Sequence, residues 1–139
     1  MDSSNTPLKT ALLLFAYGSL MKGERHHEEL GGALCLGTVR TLDRFRLVDL
    51  GLYPAMIESP DMQIEGELYS IPRQLLIRLD GVKELGRLFH RRTIPLESGA
   101  EAEAYLMDEA QVRGRRRLRV PNWRDRFSLA ASRGPIGRR

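Results

Sequence analysis

Two features of this sequence are equipped to do chemistry together: the turn Tyr17-Gly18-Ser19-Leu20 and an acid far downstream, Glu84. The turn ends an apolar run short enough for a single buried strand. A glycine at that point lets the chain bend sharply and lets another group approach the backbone closely, because it has no Cβ. Main-chain N–H groups in such a turn can be aimed at an anion or at a developing oxyanion. A lone carboxyl opposite them can serve as general base and then as general acid. Partial removal from water raises the pKa of a Glu and suits it to both tasks.

Other reactive side chains have plainer readings. His26 and His27 are adjacent and lack the spacing of a metal site, so no metal is expected and the pair is read as solvated on a short helix. Cys35 is the single thiol. It lies in an apolar strand with no readable base, so it is expected to be buried and inert. Glu65 and Glu67 share the outward face of a strand. Asp80 is read as an exposed or helix-terminal acid. Arg91 and Arg92 fall on opposite faces of a strand, and the inward one is placed to pair with Glu84 or with an acidic substrate, a structural ion pair being the equal alternative.

The elements that must position these groups follow from hydrophobic patterning. Residues 11–17 read as a buried strand, and residues 22–30 as a short helix near the turn. Strands are expected at 34–39, with Gly37 marking a bend or bulge, and at 45–50. Another falls at 53–58, at an edge because Pro54 cannot donate to a ladder. A further strand falls at 63–71. Pro72 opens a helix carrying Leu75, Leu76 and Leu79 at helical spacing. Residues 89–96 and 101–107 read as two strands joined at Ser98-Gly99. The fold class is α+β: a small mixed or antiparallel β-barrel with short flanking helices.

The chain of 139 residues, 42% hydrophobic and 29% charged, suits a single globular domain. Residues 1–10 read as a disordered lead-in with no secretory signal, and residues 11–112 as the domain. Residues 113–139 read as a basic segment, partly docked or flexible. The net charge of +4 hides an uneven distribution: from Arg113 onward there are ten arginines against Asp125 alone, while residues 1–112 hold twelve basic and seventeen acidic groups. The body is mildly acidic, which disfavours a nucleic-acid-binding domain and leaves that role only to the arginine-rich end. One cysteine and no spanning segment make a reducing, cytoplasmic setting the expectation.

An ordered set of motifs resembles the gamma-glutamylcyclotransferase-like family, which includes the AIG2-like proteins. The set is Tyr17-Gly18-Ser19-Leu20, Leu36-Gly37-Thr38, the run from Leu47 through Tyr53-Pro54, Ile64-Glu65-Gly66-Glu67-Leu68-Tyr69, Leu79-Asp80 with Glu84 after it, and Phe89-His90-Arg91-Arg92. Asn122-Trp123 resembles a late tryptophan motif of the same family. The resemblance implies a compact barrel with a cavity at its mouth. It implies that Tyr17, Gly18, Ser19 and Leu20 hold the α-amino-acid end of a γ-glutamyl compound, with Glu84 as the catalyst. The implied activity is release of 5-oxoproline and a free amine, with no cofactor and with a small molecule as partner. Arg91 or Arg92 would support the anionic side of the site. The chain departs from the family pattern at two places: Lys83 stands where the acid usually falls, with Glu84 one position later, and His90 replaces a tyrosine. The alternative implied by those departures is a member that binds a small molecule without turning it over.

Overall fold

The computed structural model describes residues 11–82 and 88–128. Eight strands form two sheets. Five of them, in spatial order β2-β5-β1-β7-β6, make a mixed sheet, and β4-β3-β8 make a smaller one. The strands are β1 (Ala11–Ala16), β2 (Leu34–Arg40), β3 (Phe45–Asp49), β4 (Pro54–Glu58), β5 (Glu65–Pro72), β6 (His90–Pro95), β7 (Glu101–Leu106) and β8 (Arg116–Arg117). One α-helix, α1 (Arg73–Asp80), is described, together with 3₁₀ turns at His27–Leu30, Glu109–Val112 and Trp123–Asp125.

Strand β1 sits at the centre because its sequence is apolar on both faces. Leu14, Phe15 and Ala16 are all buried, as a strand covered on both sides requires. It runs antiparallel to β5, from Ala11 opposite Pro72 to Ala16 opposite Glu67, and parallel to β7. Gly66 makes the first pairing possible at its tight end: a Cβ there would lie 2.4 Å from the Ala16 carbonyl oxygen. Helix α1 starts directly after Pro72 and buries Leu75, Leu76 and Leu79, the spacing read from the sequence.

The α+β class and the mixed pairing agree with the sequence reading. Closure is partial. The two edges of the larger sheet meet at one end, where Thr41 bridges Leu96 and the Glu97 N–H donates to the Arg40 carbonyl at 2.8 Å. The small sheet is tied on by the Met107 N–H to the Met56 carbonyl, 3.1 Å. The described residues therefore form two linked sheets rather than one ring.

Several local expectations change. The helix at 22–30 shrinks to the 3₁₀ turn His27–Leu30. Pro54 does begin an edge strand, β4, and Gly37, at φ +118°, does mark a shift of register between β2 and β5. Cys35, expected inside, is exposed. The reason is that β2 is an edge strand, with Leu34 and Leu36 exposed as well; an apolar composition was read as burial where the sheet ends.

The basic segment is docked as far as the described chain goes. Its strand β8 pairs with β3, and Leu118, Val120 and Trp123 are buried. Its arginines meet the acids of the body: Arg116 pairs with Asp49, Arg117 with Glu109, and Arg124 with Glu67. The Arg126 guanidinium lies 4.2 Å from the centre of the Trp123 ring. Phe127, by contrast, is exposed. These pairs neutralise part of the segment's charge, while Arg113, Arg115 and Arg119 are exposed.

Candidate active site

Where β1 ends, the chain turns through Tyr17 to Leu20 and walls a narrow cleft. Its other walls are Phe15, Ala16, Pro54, Phe89 and Tyr105. Gly18 is required here by a close approach rather than by a left-handed backbone. A Cβ on it would fall 2.4 Å from Cγ and 2.6 Å from Cδ of Pro54.

The carbonyls of Gly18, Ser19 and Leu20 are each used by the protein. The Gly18 carbonyl accepts from Met21 N–H at 3.0 Å, and the Ser19 carbonyl from His26 N–H at 2.7 Å. The Leu20 carbonyl lies 2.9 Å from Nδ1 of His27. Among the described residues, the N–H groups of Gly18, Ser19 and Leu20 have no backbone acceptor. The turn thus offers three backbone donors, beside the Ser19 hydroxyl.

Beyond the turn, an acid and an arginine hold the chain down. The Lys22 N–H donates to Glu67 at 2.8 Å, and the Lys22 carbonyl accepts from Arg124 at 2.6 Å. Arg124 also reaches Glu67, 3.1 Å away, and the Tyr69 hydroxyl donates to that carboxylate at 2.7 Å. Burial pushes the Glu67 carboxyl up, but these donors and the Arg124 charge outweigh it and hold it below the usual carboxylate range.

Tyr17 is fixed from both sides of its hydroxyl. It donates to the Tyr105 carbonyl at 2.5 Å and accepts from Met56 N–H at 3.1 Å. Burial keeps it protonated, well above the ordinary phenol range, with the Met56 bond opposing only in part. Its ring lines the cleft, while its proton is committed to the backbone.

Tyr105 is itself anchored. Its hydroxyl donates to Asp80 at 2.7 Å. Arg91 grips the same carboxylate with two bonds of 2.9 Å and reaches Glu103 at 2.6 Å. Burial pushes Asp80 up, but Arg91 and Tyr105 carry it below its usual range. Arg91 therefore stands behind the cleft wall rather than in it. Arg92 pairs with Glu58 at 3.0 Å and lines a different surface hollow, beside His90 and Asp108.

The structure thus brings Tyr17, Gly18, Ser19 and Leu20 to one cleft and places Arg91 and Arg92 off its lining. Glu84 lies outside the described residues. The described chain leaves at Val82 and resumes at Leu88, one position before Phe89 in the cleft wall. Sequence reasoning gave no role to Pro54, Phe89, Tyr105 or the supporting His27. Pro54 and Phe89 stood inside the motifs quoted above, which was a usable signal. Tyr105 reaches the cleft only because β7 lies parallel to β1, a pairing that no local pattern announces. Among the described residues, no cluster of His, Cys, Asp and Glu has the form of a metal site, and no helix is long and apolar enough to cross a membrane.

A mixed-sheet α+β domain with a cleft at the end of its central strand is the class that these features define. Its family follows from comparison with known proteins. Residues 14–125 match the family described as gamma-glutamyl cyclotransferase, AIG2-like, and the chain belongs to it. It is 33% identical over 97 residues to a Vibrio cholerae protein whose name places it provisionally among the gamma-glutamylcyclotransferases, covering 70% of this chain and 83% of that one. It is 30% identical over 109 residues to gamma-glutamylaminecyclotransferase C of Danio rerio, covering 71% and 72%. In fold it is similar to the crystal structure of a uropathogenic E. coli-specific protein, with a TM-score of 0.75 at 22% identity, covering 84% and 94%.

Proposed function

We propose that this protein cyclises the γ-glutamyl group of a γ-glutamyl amine or peptide and releases 5-oxoproline. The substrate carries its own nucleophile. Its α-amine attacks its γ-carbonyl carbon, a C–N bond closes the five-membered lactam, and the original amide C–N bond breaks. No water is consumed. Because the attack is intramolecular, the protein chiefly has to fold the substrate into the reactive conformation.

The α-ammonium group first gives one proton to solvent; Glu84 then takes a proton from the attacking α-amine as base and returns it to the departing nitrogen as acid, so the lactam nitrogen keeps one hydrogen and the amine leaves neutral. The turn from Tyr17 to Leu20 holds the glutamyl moiety, its N–H groups facing the substrate's negative oxygens. Tyr17 contributes a wall rather than a proton. Arg91 supports the site indirectly, through Asp80 and Tyr105, and Arg92 takes no part in it.

The observation that carries this reading is the turn itself. The carbonyls of Gly18, Ser19 and Leu20 are engaged by the protein, and the N–H groups of the same residues have no backbone acceptor among the described residues, at a cleft whose wall includes Phe89. Family membership supports the reaction class, and the zebrafish relative's name points to γ-glutamyl amines. The test is 5-oxoproline release from a panel of γ-glutamyl amines. The wild type is expected to turn over, and Glu84→Gln to lose at least ~10²-fold. A Glu84→Gln enzyme as active as wild type refutes the assignment.

A further inference from the structure

The cleft's lining is buried on both sides: Tyr17, Ser19 and Leu20 of the turn and Phe89 of the facing wall are each under a tenth exposed. From the wall residue Phe89 a run of rings leads outward. The Phe89 and Tyr53 ring centres lie 6.0 Å apart at 52°, and Tyr53 meets His26 edge-on at 6.3 Å. Tyr53 and His26 are half-buried, and next to the run Leu52 is 61% and Leu88 45% exposed.

On the reaction proposed above, the glutamyl half is held at the Tyr17–Leu20 turn. The ring run from Phe89 to the half-buried Tyr53 and His26 is the described route from that cleft toward solvent. We propose that the departing amine carries an aromatic group that packs against Phe89 and Tyr53. The preferred substrate class is then γ-glutamyl arylalkylamines rather than γ-glutamyl amino acids.

Two physical arguments support this direction. Aromatic rings pack favourably at centre distances of roughly 4.5–7 Å in tilted or edge-on arrangements, the geometry Phe89 and Tyr53 already adopt, so a third ring extends an existing cluster. A leaving amino acid, by contrast, would bring its carboxylate against the negative faces of these rings and lose hydration there.

The test compares γ-glutamyl phenethylamide, γ-glutamyl ethylamide and γ-glutamylglycine, which share one glutamyl half. Turnover is measured with the wild type, and binding by calorimetry with both wild type and Glu84→Gln. Phenethylamide is expected to exceed γ-glutamylglycine by roughly tenfold in kcat/KM and in affinity. Tyr53→Ala is expected to cut that ratio severalfold, while Tyr53→Phe keeps it. Equal or better use of γ-glutamylglycine by the wild type overturns the inference, and so does an unchanged ratio in a folded Tyr53→Ala protein. If wild type binds these amides but releases no 5-oxoproline, the proposed reaction falls while the binding ratios still decide the role of the rings. Failure to bind any of the three overturns both.

Discussion

Replacing Gly18 with alanine places a methyl group where Pro54 already stands. The new Cβ would lie 2.4 Å from Cγ and 2.6 Å from Cδ of the proline ring. Carbon atoms in contact normally sit about 3.5 Å or more apart, so the overlap is close to 1 Å. A proline ring cannot rotate out of the way, and the backbone must shift instead. Overpacking of this kind costs about 1–3 kcal/mol. At roughly 3 °C per kcal/mol for a domain of this size, Tm falls by about 3–10 °C. Gly18 is not in the left-handed region, so the cost is steric and the proline should control it. Pro54→Ala removes Cγ and Cδ and leaves only Cβ, 3.9 Å away. In that background Gly18→Ala should be neutral, or stabilising by a few tenths of a kcal/mol through the unfolded chain. A double-mutant cycle in urea, followed through Trp123, which is the sole tryptophan and is buried, reads the coupling directly. We expect about 1 kcal/mol or more. If Gly18→Ala is equally destabilising with and without the proline ring, the steric account is wrong.

Two further outcomes follow from the hydrogen bonds behind the cleft. Tyr17→Phe removes the donor to the Tyr105 carbonyl and the acceptor for Met56 N–H, both at buried positions; urea denaturation should show a loss of about 1–3 kcal/mol, and an unchanged midpoint would contradict the assigned bonds. Asp80 is held below its ordinary pKa once Arg91 and Tyr105 outweigh its burial, so its contribution is present above the unfolded value of about 3.9 and is lost as pH falls through the folded value. Asp80→Asn should therefore flatten the fall of Tm with acidification below about pH 4, and parallel curves for variant and wild type would refute this.

Legibility from sequence tracked how local the cause was. The buried strand β1, the helix after Pro72 and the bulge at Gly37 each rest on residues within one element, and each was read correctly. Cys35 was misplaced because burial in a sheet depends on whether a neighbouring strand exists, and β2 has a partner on one side only. Partial docking of the basic segment agrees with the burial of Trp123, but the pairing of Arg116 and Arg117 with β3 had no local sign, since two arginines carry no strand signal of their own. The turn at Tyr17 was visible as a motif, yet the reason for its glycine was not. It lies in Pro54, thirty-six positions away. Arg91 and Arg92 looked equivalent in sequence. Only the placement of Asp80 at the end of α1 and of Glu103 on β7 separates them.

The hold of Arg124 on the Lys22 carbonyl has a consequence for how the protein is made. Arg124 follows Lys22 by 102 positions, so the clasp can close only after the intervening strands have been made. During synthesis the nascent chain carries Tyr17 to Leu20 through a long interval without that clasp. Ligand competence should thus wait on the arrival of Arg124 rather than build up as the strands emerge.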